Sequence, residues 1–230
     1  MLFGFFYYDW TILIVLPALI FTFWAQISVN SRFDKYSRVR TSHGLTGAEA
    51  ARRILDANGL SNVRIEKIHG SLTDHYDPRA NVIRLSETVH DVASVAAVGV
   101  AAHEAGHAVQ YAKNYGPIKL RMAILPVTRI GSMLAMPTFI IGLFFAYDPL
   151  LLAGILLYSA VTLFQLLTLP VEFNASARAL DTLEHTHMMY GDELVGARKV
   201  LSAAAMTYVT ALATSLLTLL RLLTIANRRR

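Results

Sequence analysis

Pro149–Val171 reads PLLLAGILLYSAVTLFQLLTLPV and carries no charged side chain from end to end. Crossing the hydrocarbon core of a bilayer takes roughly 20 apolar residues in a helix. This stretch therefore decides the fold class: helices in a membrane. Its polar content is Gln165 and a few hydroxyls, and Pro170 is expected to mark its end. Three more uncharged stretches share the texture: Trp10–Ser31, Ile130–Tyr147 and Val200–Leu220. The first begins beside Tyr7, Tyr8 and Trp10, aromatic residues of the kind that settle at lipid interfaces. No basic residue precedes it and no small-residue cleavage site follows, so it reads as an uncleaved anchor. The stretch from Ile130 is the shortest, and Arg129 at its start can snorkel toward headgroups.

The composition agrees. Of 230 residues 54% are hydrophobic and only 16% charged, with 21 Lys+Arg against 16 Asp+Glu and a net charge of +5. Soluble domains run nearer a quarter charged, and global disorder needs far lower hydrophobicity. With no cysteine, disulfide scaffolds and thiolate zinc sites are excluded, so any metal must be held by His, Asp or Glu. No phosphate-binding glycine loop or nucleic-acid motif appears, and no nucleic-acid partner is expected; the basic excess is accounted for by residues flanking the spans.

Basic flanks also set orientation. Arg32, Lys35, Arg38 and Arg40 follow the first span, Lys113, Lys119 and Arg121 precede the second, and Arg178, Arg198 and Lys199 lie between the third and fourth. The turn around Asp148 has none. Four crossings with the amino terminus outside place all three basic flanks in the cytoplasm of a plasma membrane. Arg228, Arg229 and Arg230 would then lie outside: either the last helix does not fully cross, or this single flank is outvoted by three. The resulting organisation is an anchor helix (1–31), a polar insert (32–121), a transmembrane hairpin (122–171), a short helical segment (172–199), and a last membrane helix with a basic tail (200–230).

Within the insert, Thr46-Gly47-Ala48-Glu49 reads as a capping box opening a helix through Ala57, with Gly59 just past its end. Val63–Ile68 and Asn81–Leu85 read as two strands, and the turn-forming Asp74–Asn81 (DHYDPRAN) between them predicts a β-hairpin. The second strand could offer an edge to an extended peptide. A long helix is expected from about Asp91 to Tyr111.

That helix contains His103-Glu104-Ala105-Gly106-His107. Residues four apart share a helix face, so both imidazoles can reach one metal ion, and Glu104, offset by one, can aim at a metal-held water. A catalytic zinc takes three protein ligands and keeps a fourth position for water. The third ligand must return to the same membrane side, after an even number of crossings. Spans two and three form such a hairpin, and Glu172 is the first acidic residue beyond it. Asp181, Glu184, His185 and His187 are the alternatives, farther along the same segment. His43, His69 and His90 have no partner at metal spacing and read as surface residues.

Three blocks, DHYDPRANVIRLS, AAHEAGHAVQ and LPVEFNAS, make the chain from about 28 to 225 resemble the YugP-type neutral zinc metallopeptidases of bacterial and archaeal membranes. The resemblance implies one zinc per chain on His103, His107 and Glu172, with Glu104 as the catalytic acid/base. The wider membrane zincin group often has an Asp four residues beyond the ligand Glu; here that place is Ser176. Ser176, Asn174 and Asp181 are candidates to orient a ligand histidine, and His75, Tyr76, Arg79 and Arg178 to stabilise an oxyanion. The expected fold is mainly α: polytopic membrane helices with a small α+β zincin-like cytoplasmic insert. The expected activity is zinc-dependent endopeptidase action on protein or peptide substrates, membrane proteins among them, beside the bilayer. The competing reading is a non-hydrolytic membrane adaptor whose zinc site is structural and closed by a fourth ligand such as His185. A transporter with an incidental motif ranks below both, since the spans lack midplane charges and repeats.

Overall fold

A computed structural model describes residues 10–228; the interfacial Tyr7 and Tyr8 and the terminal Arg229 and Arg230 lie outside them. Of the described residues 72% are helical, in six helices, and there is one small sheet. In order these are α1 (Ile12–Ser37), α2 (Gly47–Ala57), β1 (Arg64–Ile68), β2 (His75–Asp77), β3 (Val82–Ser86), α3 (Val95–Ala112), α4 (Gly116–Phe144), α5 (Asp148–His185) and α6 (Asp192–Asn227). Helices α1, α4, α5 and α6 are long and apolar enough to cross a membrane.

The chain divides into two compact units. One comprises the residues up to Ala25, Leu120–Leu169, and those from Thr207 onward. Here Phe139 is buried among Leu151, Ile155 and Leu222. A Cβ on Gly154 would stand 2.8 Å from the Phe139 nitrogen and 2.9 Å from the Ala135 oxygen, so glycine lets α4 and α5 run this close. Small residues at helix contacts do this work in lipid, where apolar side chains gain nothing by leaving the solvent. Hydroxyl pairs tie helices together as well, Thr162 to Ser215 at 2.7 Å and Thr22 to Thr214 at 3.1 Å. Ile130, Met133, Leu156 and Leu163 turn outward and are at least half exposed, as side chains facing lipid should be.

The other unit comprises Gln26–Lys119 and Pro170–Met206. Its core gathers Ile54 and Leu55 of α2, Ile83 and Leu85 of β3, the alanines of α3, and Leu183 of α5. The capping box is present: the Thr46 side chain accepts from the Glu49 N–H, and Glu49 accepts from the Thr46 N–H. Gly59 follows the helix at φ +71.

Four expectations change. The sheet order is β1-β3-β2, with β1 parallel and β2 antiparallel to β3. The hairpin therefore joins His75–Asp77 to Val82–Ser86, turned through Pro78–Asn81, where Asp77 Oδ1 accepts from the Arg79 and Ala80 N–H groups. Strand β3 is central, with both edges paired, so it has no edge to offer a peptide; β1 and β2 form the two edges. Helix α3 begins at Val95 because Ser94 caps it, accepting from the Ala97 N–H at 3.2 Å. Finally, α5 runs through Pro170 without a break, so Glu172 continues the same helix. That helix has 38 residues, about 57 Å at 1.5 Å per residue, nearly twice the roughly 30 Å of a hydrocarbon core. Its last turns, Glu172 among them, belong to the polar unit.

Candidate metal centre

Helix α3 is built almost entirely of alanine, valine and glycine, and its burial is correspondingly deep. Small side chains let another helix approach closely. At Gly106, between the two motif histidines, an added Cβ would stand 2.8 Å from the Ala175 carbonyl oxygen of α5. This contact brings Glu172 to the histidines. Nε2 of His103 lies 3.3 Å and Nε2 of His107 3.4 Å from the same Glu172 oxygen, Oε2. The imidazole rings meet edge to face, 4.7 Å between centroids. Glu172 is nearly fully buried, 2% exposed, and the histidine side chains are 13% and 12% exposed.

These separations bear on what the cluster could hold. Tetrahedral zinc with bonds of about 2.0–2.1 Å sets neighbouring donors about 3.3–3.4 Å apart. Two imidazole nitrogens and one carboxylate oxygen are a donor set that zinc accepts. One ligand atom from each residue lies within 4.8 Å of the others, and among the described residues no further His, Asp or Glu joins the group. The residues present therefore fit a zinc ion with a coordination position left over.

The far side of each ring is held too. His103 Nδ1 lies 3.1 Å from Ser176 Oγ, and His107 Nδ1 lies 3.0 Å from Gln110 Oε1. Burial pushes the Glu172 carboxyl up, but hydrogen bonds from His103 and His107 outweigh it and hold the group well below the usual carboxylate range. It is an anion at neutral pH, as a ligand must be. Burial likewise pushes His107 down, and the Glu172 bond and Glu104 charge overcome it, for a net rise. Glu104, also buried, points its Oε2 at the Tyr76 backbone N–H, which donates at 3.0 Å. Edge strand β2 thus fixes one oxygen of that carboxylate. Nearby Asp74 is pushed up by burial, against two opposing hydrogen bonds from Ser86 and with the Glu104 charge adding to the rise.

The other expected residues fall at different distances from this cluster. Tyr76 meets Glu104 through its backbone; its hydroxyl donates to Asn81 and its ring packs on Tyr111. His75 is exposed, its ring bonded to the Thr73 carbonyl. Arg178 donates to Asn174 at 2.7 Å and lies over the Tyr115 ring. Asp181 and His185 pair with each other on the surface, Glu184 is exposed, and His187 sits in the turn after α5 at φ 53. None of these four approaches the motif. The residue that the spacing argument passed over is Gln110, fully buried and three positions beyond His107. An amide at that spacing in an otherwise apolar face was the available signal.

Four helices long and apolar enough to cross a membrane, and a His/His/Glu group that could hold a metal ion, accord with what the chain is similar to. Residues 11–227 match a family described as "Putative neutral zinc metallopeptidase", and the chain belongs to that family. It is 50% identical over 210 residues to the "Putative membrane protease YugP" of Bacillus subtilis (strain 168), covering 91% of this chain and 93% of that one. No solved structure matches.

Proposed function

We propose that this membrane protein is a zinc-dependent endopeptidase whose active site faces the cytoplasm. The observation that carries the reading is the convergence of the His103 and His107 Nε2 atoms on one Glu172 oxygen, at 3.3 and 3.4 Å, with the Glu104 carboxylate buried nearby. A zinc ion there would supply Lewis acidity and lower the pKa of a bound water toward about 7. His103 and His107 present Nε2, and Glu172 Oε2, to the ion. Glu104 serves as general base and acid: with Oε2 occupied by the Tyr76 N–H, its other oxygen takes the proton of the attacking water and returns it to the leaving amine nitrogen. Edge strand β2 lies against this carboxylate and fixes its orientation through the Tyr76 N–H. The basic flanks of three spans support the cytoplasmic placement.

The adaptor reading requires a fourth protein ligand, and the described residues supply three. Glu104→Gln separates the two readings. We expect it to keep about one zinc per chain in detergent-purified protein while cleavage of an unstructured protein substrate falls by orders of magnitude. Unchanged turnover would sink the enzyme reading.

A further inference from the structure

Gln110 is completely buried in the face of α3 that meets α5, and both its nitrogen and its oxygen are engaged. Its Nε2 donates to the Val171 carbonyl at 2.8 Å and to Asn174 Oδ1 at 2.9 Å. Its Oε1 lies 3.0 Å from His107 Nδ1. The direction of this network is set at its far ends by groups whose polarity cannot be reversed. A backbone carbonyl only accepts, and the Arg178 guanidinium, on Asn174 Oδ1 at 2.7 Å, only donates. Asn174 must therefore turn its oxygen toward both Arg178 and Gln110. Gln110 must turn its nitrogen toward Asn174 and Val171. The remaining oxygen faces His107, whose Nδ1 has to carry a proton, so the nitrogen able to give a lone pair to a metal is Nε2, on the Glu172 side.

We infer that Gln110 is the positioning residue of the metal centre. One amide selects the metal-binding tautomer of His107 and ties it to the turn of α5 that carries Glu172. The inference rests on the zinc peptidase reading and adds to it a residue that touches neither metal nor substrate. Ser176 stands behind the other ring, 3.1 Å from His103 Nδ1, so each ligand histidine has its own partner.

The test measures zinc affinity of full-length protein in detergent by competition with a chromophoric chelator, alongside the melting temperature of the zinc-free form. Gln110→Met keeps the volume and removes all three bonds; we expect zinc to bind about 10–100-fold more weakly. Gln110→Glu keeps an acceptor for His107 Nδ1 but sets a carboxylate oxygen against the Val171 carbonyl. We expect it to hold zinc within a few-fold of wild type while lowering the melting temperature of the zinc-free form. Wild-type affinity in Gln110→Met, or equal loss in both variants, overturns the inference. Should Gln110→Met fail to fold, the unmodified protein decides. In its zinc-loaded, 15N-histidine-labelled form the nitrogen shifts of His107 must report a protonated Nδ1, and an Nε2–H tautomer overturns the assignment. A wild type that takes up no zinc removes the peptidase reading itself, whereas a zinc-replete wild type with an indifferent Gln110→Met removes this inference alone.

Discussion

Glu172 carries a charge in a place where carboxylates are almost never fully buried unless paired. Its pairing is with two imidazoles at nearly equal distance, and removing it would leave those rings facing each other with no anion between them. We expect Glu172→Ala to bring zinc content from about one per chain to near zero, while Asp181→Ala and His185→Ala, which alter an exposed pair, leave it unchanged. Metal analysis of the three purified variants checks this. At this scale much was legible in the sequence. Spacing of four on a helix is one-dimensional information, so His103 and His107 could be paired by counting, and Glu172 emerged from asking which acidic residue returns to the same side. The groups behind the rings were harder to read. Whether Ser176 or Asn174 meets His103, and whether Gln110 meets Asn174, depends on how α5 is rotated against α3, and no local pattern encodes that rotation.

Helix α3 contains two glycines with opposite prospects. In a helix, alanine is preferred to glycine by about 1 kcal/mol. A Cβ at Gly99 would meet only the Ala197 methyl, at 3.4 Å, so Gly99→Ala should be neutral or gain part of that preference. A Cβ at Gly106 would meet a backbone oxygen at 2.8 Å, which cannot move without shifting α5. We expect Gly106→Ala to lose about 1–3 kcal/mol by overpacking despite the better propensity, and to lose zinc affinity as Glu172 is pushed away. Melting temperatures and zinc titrations of both variants test the pair together. The helices were readable from apolar length and capping residues, the sheet only in part. A strand of three residues, His75–Asp77, is too short to show a period of two, and pairing order is a long-range property that turn residues do not specify. Likewise Pro170 forfeits one backbone hydrogen bond, yet the helix continues through it, as transmembrane helices can where neighbours satisfy the freed carbonyl.

For the whole molecule, the four apolar helices and the basic flanks make a topology that can be measured directly. Because the chain has no cysteine, single cysteines report without background. In intact cells we expect Ser42→Cys to be shielded from a membrane-impermeant maleimide and Phe145→Cys, in the exposed turn between α4 and α5, to be labelled. The opposite pattern would place the centre outside the cell. One further consequence follows from the order of the ligands along the chain. His103 and Glu172 stand 69 positions apart, and everything between them beyond α3 is α4 and the greater part of α5. A chain still emerging from the ribosome thus holds two of the three donors until both of those helices have been synthesised. On the peptidase reading proposed above, hydrolytic competence would have to wait for Glu172, so that a half-made copy could not attack its neighbours on the way into the bilayer.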